Sequence, residues 1–303
     1  MQKAMDNKTA RLMCRLTNEF YACNADSFSQ TRAGAWPGWK TLADILRAYK
    51  FDTLAPQVSV LDLACGNMRF LDFLMHEFAD EMSENTCLDY FAVDNCDALA
   101  HARTIQPARA AIHFHNTDIT RALFDKKEPP SFIDISGCSL AVCFGFMHHV
   151  PLPEQRLYVL NALIDALEPG GFVAVSFWQF MTDEKFAKKA RAEHEQALSE
   201  LRQLARNERT GGKLAGSERL GAALVLDENA LYEPALGELA LDEGDFLLGW
   251  NGQLHTFRYC HSFSEEEIDT LVGRISPRAK EIARFRADGR THEMNTYLIL
   301  QRA

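Results

Sequence analysis

From Val58 onward, short apolar runs alternate with stretches whose apolar residues recur at helical spacing. The runs VSVLDL (58–63), DYFAVD (89–94), AIHFHN (111–116), SLAVCFG (139–145) and GFVAVSFW (171–178) read as strands. Residues 69–79, 97–104 and 153–167 between them read as helices. Strands alternating with helices at this spacing predict a doubly wound, mostly parallel α/β sheet covered on both faces. The first 50 residues differ, being helix-like with a polar, aromatic connector, SFSQTRAGAWPGWK, whose Trp36 and Trp39 read as core residues rather than base-stacking platforms. After Phe180 a charged stretch from Thr182 to Arg209 carries Phe186, Ala190, Ala197, Leu201 and Leu204 at helical spacing, read as a packing stripe. Residues 213–245 are rich in Gly, Leu and acids with little periodicity, and the tail from Phe246 ends in the strand-like NTYLILQR. The expected organisation is a helical lid segment at 1–50, an α/β core at 51–180, a charged helical insertion at 181–243, and C-terminal strands at 244–303 that complete a seven-stranded sheet and the acceptor site.

The sharpest local signal is VLDLACGNMRFLDFL, an apolar strand ending in Asp62, a small-residue turn from Ala64 to Asn67, and an amphipathic helix. In a doubly wound sheet, the crevice at the carboxyl ends of the first strands takes a nucleotide-like ligand. Small residues let the ligand approach the backbone. The next strand ends in Asp94, where a carboxylate can accept from both ribose hydroxyls, and the third is followed by Asp118, placed to meet an adenine edge. The fuller G-x-G-x-x-G turn that a dinucleotide pyrophosphate wants is absent.

The order of that turn, Asp94, Asp118 and a fourth strand running into Met147-His148-His149-Val150 resembles the class I S-adenosylmethionine-dependent methyltransferases, as does LEPGGFVAVSFW. The resemblance implies that S-adenosylmethionine is held by Asp62, Ala64, Cys65, Gly66, Asn67, Asp94, Asn95, Asp118, Ile119, Phe144 and His148. Ala64 and Met68 replace the outer two of the family's three turn glycines. Ala64 fits if its φ is negative; Met68 either reshapes the slot for the cofactor's amino-acid end or points into helix packing.

FSQTRAGAWPGW and GDFLLGWNGQLHTFRYCHSF further resemble segments of the tRNA wobble-uridine methyltransferases, whose motifs run FSxTRxxxWP and RYYHxF. That resemblance implies methylation of a carboxymethyl group on a modified uridine, with tRNA and a small zinc-binding activator protein as partners. It covers residues 17–40, 58–180 and 244–303. A carboxylate needs orientation rather than a general base, and Arg32, His149, Arg258, Tyr259 and His261 supply the cationic and hydrogen-bonding groups for a clamp. Tyr259 and His261 alternate along a strand and so share one face.

Charge bears on the acceptor. The 303 residues carry 32 Lys and Arg against 42 Asp and Glu, a formal charge of -10 that argues against a generally basic nucleic-acid wrapper. Its distribution is uneven: residues 221–270 hold eleven acids and one base, whereas 181–220 and 271–303 are net basic. A mild basic face therefore leaves RNA open, while a small-molecule acceptor needs none. Two further readings stand: methylation of a small carboxylate or hydroxyl metabolite on the same scaffold, and a non-catalytic binding module. The eight cysteines form no C-x-x-C pair and fit neither a zinc site nor a disulfide framework, so no metal is expected. With no run of the roughly 18–20 apolar residues a bilayer demands and no signal-peptide layout, the chain reads as soluble and cytoplasmic.

Overall fold

Each of the five apolar runs is a strand in the computed structural model, which describes residues 5–30, 34–51, 57–82, 86–96, 109–125, 134–209, 225–227, 230–231, 239, 241–250 and 255–303. In chain order the first elements are α1 (Asn7–Gln30), α2 (Pro37–Ala48), β1 (Gln57–Leu63), α3 (Arg69–Glu77), β2 (Cys87–Asp94), β3 (Ala110–Asn116), α4 (Ile119–Asp125) and β4 (Cys138–Cys143). A 3-10 turn at Met147–His149 leads to α5 (Pro153–Ala166) and β5 (Leu167–Trp178), and a second at Phe180–Thr182 leads to α6 (Glu184–Arg209). Then come β6 (Val225–Asp227), β7 (Ala230–Leu231), β8 (Asp245–Leu248), β9 (Arg258–His261), α7 (Glu265–Ile275), β10 (Ala279–Ala287) and β11 (Asn295–Arg302). The helix expected at 97–104 lies outside the described residues.

Seven strands form one sheet in the order β10-β11-β5-β4-β1-β2-β3. β1 pairs in parallel with β2 and β4, β2 with β3, and β4 with β5, while β11 runs antiparallel to both β5 and β10. The direction of winding reverses between β1 and β4, which places the ligand crevice beside the turn after β1. β4 and the second half of β5 are buried almost residue by residue, as strands covered on both faces must be. On one face Val58, Val60, Tyr90, Leu140 and Val142 pack with Leu42 and Leu46 of α2 and Leu71 and Leu74 of α3.

The start of α2 is fixed by local chemistry and by one distant acid. Pro37 sits at the first helical position, where its missing N–H is no loss and its φ suits a helix. Gly38 lies against the ring of Tyr297, which leaves no room for a Cβ. Its N–H donates to Asp288 Oδ1 at 2.9 Å, and Tyr297 O–H and Asn295 Nδ2 donate to Asp288 Oδ2 at 2.5 and 3.0 Å.

The chain divides into two compact units: residues 1–24, 148–153 and 179–264, and residues 25–147, 154–178 and 265–303. The second holds the whole seven-stranded sheet. These units cut across the segments at 1–50 and 244–303 that the sequence suggests, because each of those segments contributes to both. In the first unit, β8 and β9 form an antiparallel pair. Helix α6 ties down this pair: His194 Nδ1 accepts from Leu247 N–H at 3.0 Å, and Glu193 accepts from Gly249 N–H at 3.2 Å. Ala190, Ala197 and Leu201 are fully buried, so the predicted stripe is packing; Leu204's side chain lies outside the described residues. No helix among the described residues is long and apolar enough to cross a membrane.

Candidate functional site

The turn after β1 is shaped by the strand beside it. Ala64 N–H and Cys65 N–H both donate to the Val93 carbonyl, at 2.8 and 3.2 Å. Meeting that acceptor turns the chain into left-handed backbone, with φ of 59° at Ala64, 53° at Gly66 and 55° at Met68. The condition under which Ala64 would fit without strain, a negative φ, is therefore not met. A Cβ in this region costs roughly 1–2 kcal/mol, a strain imposed by the two bonds to Val93. Met68 resolves to the second of its two alternatives: it is 3 % exposed and belongs to the core cluster with Phe70 and Leu71.

Gly66 and Asp94 form the joint of the crevice. Gly66 N–H donates to Asp94 Oδ2 at 2.9 Å, Cys96 N–H donates to Asp94 Oδ1 at 2.9 Å, and Asn95 also bonds the carboxylate through its backbone. Burial pushes the Asp94 carboxyl up, against the pull of these N–H groups. A Cβ built on Gly66 would meet nothing within 4 Å, so the backbone there is open to a ligand. Asn67 is a partly buried turn residue, and burial pushes the Cys65 thiol up so that it stays protonated.

Asp62, behind this turn, is buried and accepts from the Tyr90 hydroxyl. Burial raises its carboxyl to about 7, with the Tyr90 bond opposing the shift. Between the usual carboxylate value and about 7, the folded chain holds a proton that the unfolded chain has released. Stability therefore falls as pH rises through this window, and the full cost is present above it. Asp62→Asn keeps an acceptor for Tyr90 and removes the charge, so it is expected to raise unfolding free energy by about 2 kcal/mol near pH 8 and hardly at all near pH 4. Urea unfolding at the two pH values checks this; equal effects at both would show that Asp62 carries no such penalty.

The other expected cofactor residues are placed differently. Asp118 caps α4, its Oδ1 accepting from Thr120 Oγ1 at 2.7 Å and Arg121 N–H at 2.9 Å, and Ile119 is buried at the first position of that helix. Phe144 belongs to an aromatic cluster with Phe70 at 5.0 Å and Trp39 and Tyr297 at 5.7 Å. Trp39 is core, 2 % exposed, and Trp36 stacks on it at 5.5 Å. Arg69, which sequence reasoning passed over, lies 4.8 Å from the Trp36 ring.

In the first unit, His149 is held at both nitrogens. Its Nδ1–H donates to the Tyr259 carbonyl at 2.7 Å, which leaves Nε2 to accept from the Tyr21 hydroxyl at 2.9 Å. Tyr259 and His261 do share a face of β9, and both donate to Asp245 Oδ1, at 2.5 and 2.7 Å. Thr17 Oγ1 accepts from Tyr259 N–H at 3.1 Å. Arg258 is separate from them: it lies 4.6 Å over the Phe20 ring and 5.6 Å from Trp250, and donates to the Gly249 carbonyl. Arg32 lies outside the described residues. The His148 ring lies 4.0 Å from that of His149, tilted at 54°, and the ligand-type atoms of His148, His149 and Cys260 lie within 4.8 Å of one another. The cysteine spacing gives no sign of that grouping. Because His149 already engages both nitrogens, closing a metal site there would break its bond to Tyr21 or to Tyr259.

Tyr21, Asp245 and Arg69 went unflagged because a single polar residue in an otherwise ordinary helix or strand carries no local signature. Asp118 did carry one: an Asp before Ile-Thr-Arg at a helix start is an N-cap signal.

No protein-family model matches the chain, and no curated protein matches it. Among solved structures, an S-adenosylmethionine-dependent methyltransferase from Methanosarcina mazei is similar with a TM-score of 0.50 and 16 % identity, over 85 % of this chain and 96 % of that one. CalS10, an amino pentose methyltransferase from Micromonospora echinaspora, gives 0.45 and 14 % over 92 % and 96 %. An S-adenosylmethionine-dependent methyltransferase from Clostridium acetobutylicum gives 0.45 and 12 % over 94 % and 98 %. The first of these similarities, together with the seven-stranded, mostly parallel sheet and the N-terminal helix, gives the chain the class I methyltransferase α/β fold.

Proposed function

We propose that the chain is an S-adenosylmethionine-dependent methyltransferase that esterifies a carboxymethyl group on a modified wobble uridine of tRNA. The observation that carries the cofactor reading is the Gly66–Asp94 joint between the ends of β1 and β2, beside the topological switch point of this fold. Open space above Gly66 admits a nucleoside to the backbone, and Asp94, whose oxygens accept the N–H groups of Gly66, Asn95 and Cys96, keeps one of about four lone pairs for a ribose hydroxyl. The bound cofactor would supply an electrophilic methyl group on its sulfonium. Asp94 holds and orients the sugar, the buried Asp62 supports the turn from behind, and the Ala64–Val93 and Cys65–Val93 bonds keep the turn in the conformation that exposes Gly66.

The acceptor reading rests on FSQTRAGAWPGW and RYCHSF. A carboxylate of pKa near 4 is ionised at about neutral pH, so transfer needs an oriented oxygen rather than proton removal. Arg32 is the group we assign to that orientation, as a two-pronged donor. The partners this reading calls for are tRNA and a small zinc-binding activator protein, in the cytoplasm. The charge of -10 favours a second reading, methylation of a small carboxylate or hydroxyl metabolite.

Radiolabelled methyl groups are expected to pass from S-adenosylmethionine to bulk tRNA at low salt, to be released by mild alkali as an ester's would be, and to be absent with Arg32→Ala. Unlabelled tRNA, together with salt-insensitive transfer to free metabolites, would overturn the tRNA assignment in favour of the second reading.

A further inference from the structure

Two segments of the first unit, 111 residues apart in the chain, bring together a set of soft and borderline metal donors. His148 and His149 lie in the 3-10 turn at Met147–His149, and Cys260 lies in β9. All three side chains are buried, and their ligand-type atoms lie within 4.8 Å of one another. Cys260 Sγ is 3.9 Å from His149 Nδ1. Zinc–sulfur and zinc–imidazole bonds of about 2.3 and 2.0–2.1 Å let one ion join a sulfur and a nitrogen up to about 4.4 Å apart. That pair therefore takes an ion as it stands, and the other separations close by side-chain shifts of about an ångström. Thiolate with imidazole selects zinc and its softer neighbours over magnesium or calcium. Cysteine spacing is silent here because the fold, and no local motif, joins the donors.

His149 decides which of its two bonds gives way. Nδ1 is the nitrogen on the Cys260 side, so coordination there costs its bond to the Tyr259 carbonyl, 2.7 Å away. The ring loses the proton at Nδ1 and takes one up at Nε2, which then donates to the Tyr21 hydroxyl oxygen, 2.9 Å away. A metal-bound imidazole is ordinarily held in this way, by a hydrogen bond from its second nitrogen, and Tyr21 is placed to receive it. Cys260 gives its thiol proton to solvent while His149 keeps its proton count, so one proton leaves per ion. Three protein ligands leave a fourth position beside the Tyr259 carbonyl, where a metal-bound water would donate to the oxygen that His149 has released.

We propose that His148, His149 and Cys260 form a structural zinc site that pins residues 148–153 to β9, with Tyr21 holding the His149 ring through Nε2. Every residue of the site belongs to the first unit, and no step of methyl transfer runs through it, so the proposal stands apart from the cofactor reading.

Zinc titration of the chelator-treated full chain against a chromophoric chelator, with X-ray absorption of the loaded protein, tests this. Wild type is expected to take one zinc per chain with a dissociation constant of about a micromolar or tighter, bound to one sulfur and two imidazole nitrogens. Cys260→Ser should weaken zinc by at least about a hundredfold, and Tyr21→Phe by about tenfold. Cys87 is exposed at the start of β2, and Cys87→Ser should leave the affinity within about threefold of wild type. The absorption spectrum is read on the unaltered chain, so it decides the matter even where a substitution prevents folding. No uptake by wild type at about a hundred micromolar zinc would overturn the site, as would zinc bound without sulfur or an affinity unchanged in Cys260→Ser.

Discussion

Asp94→Ala is expected to bind S-adenosylhomocysteine about thirtyfold more weakly than wild type, because a charge-assisted bond to a ribose hydroxyl, worth about 2 kcal/mol, disappears. The loss has a second source in the same side chain. Asp94 receives the N–H groups of Gly66 and Cys96, so its removal also releases the turn that the ligand must approach. Asp94→Asn separates the two contributions: the amide oxygen can still accept one backbone N–H, yet the side chain offers the sugar a single neutral acceptor. It should lie between wild type and Asp94→Ala. Titration of the three proteins gives the comparison, and an Asp94→Ala affinity within about threefold of wild type would show that the sugar is held elsewhere.

Asp288→Ala is expected to cost about 4 kcal/mol of stability. Its carboxylate receives Gly38 N–H, Tyr297 O–H and Asn295 Nδ2, so truncation strands three donors, two of them buried, between the start of α2 and the β10–β11 hairpin. Asp288 also has φ of 65°, a conformation that Asp tolerates better than Ala. Equilibrium urea unfolding should show the midpoint falling with an unchanged slope. A loss below about 1 kcal/mol would mean that water replaces the carboxylate and that the hub is dispensable.

The sheet was legible in the sequence because its central strands are buried on both faces, so runs such as VSVLDL and SLAVCFG are mostly apolar. The turn after β1 was legible as a small-residue turn between strand and helix but not in its backbone conformation. Residue type argues against φ of 59° at Ala64, and only the long-range pull of the Val93 carbonyl produces it. Met68 illustrates the converse: a long side chain in a turn is a core residue, packed in the cluster with Phe70 and Leu71. In the C-terminal segment, the period of two placed Tyr259 and His261 together, yet nothing local announced Asp245, which binds them both from sixteen or fewer residues away in the chain. Arg258 was read as part of the same clamp, and the alternation that unites Tyr259 with His261 is what sends it to Phe20 and Trp250 instead.

Methyl transfer by this chain requires that the Gly66–Asp94 crevice take S-adenosylmethionine and its product. Isothermal titration of the wild-type chain with S-adenosylhomocysteine near pH 8, where the Asp62 carboxyl is ionised, tests that directly. Saturable binding of one ligand per chain is the predicted result. Heats indistinguishable from dilution at ligand concentrations up to about a millimolar would contradict it.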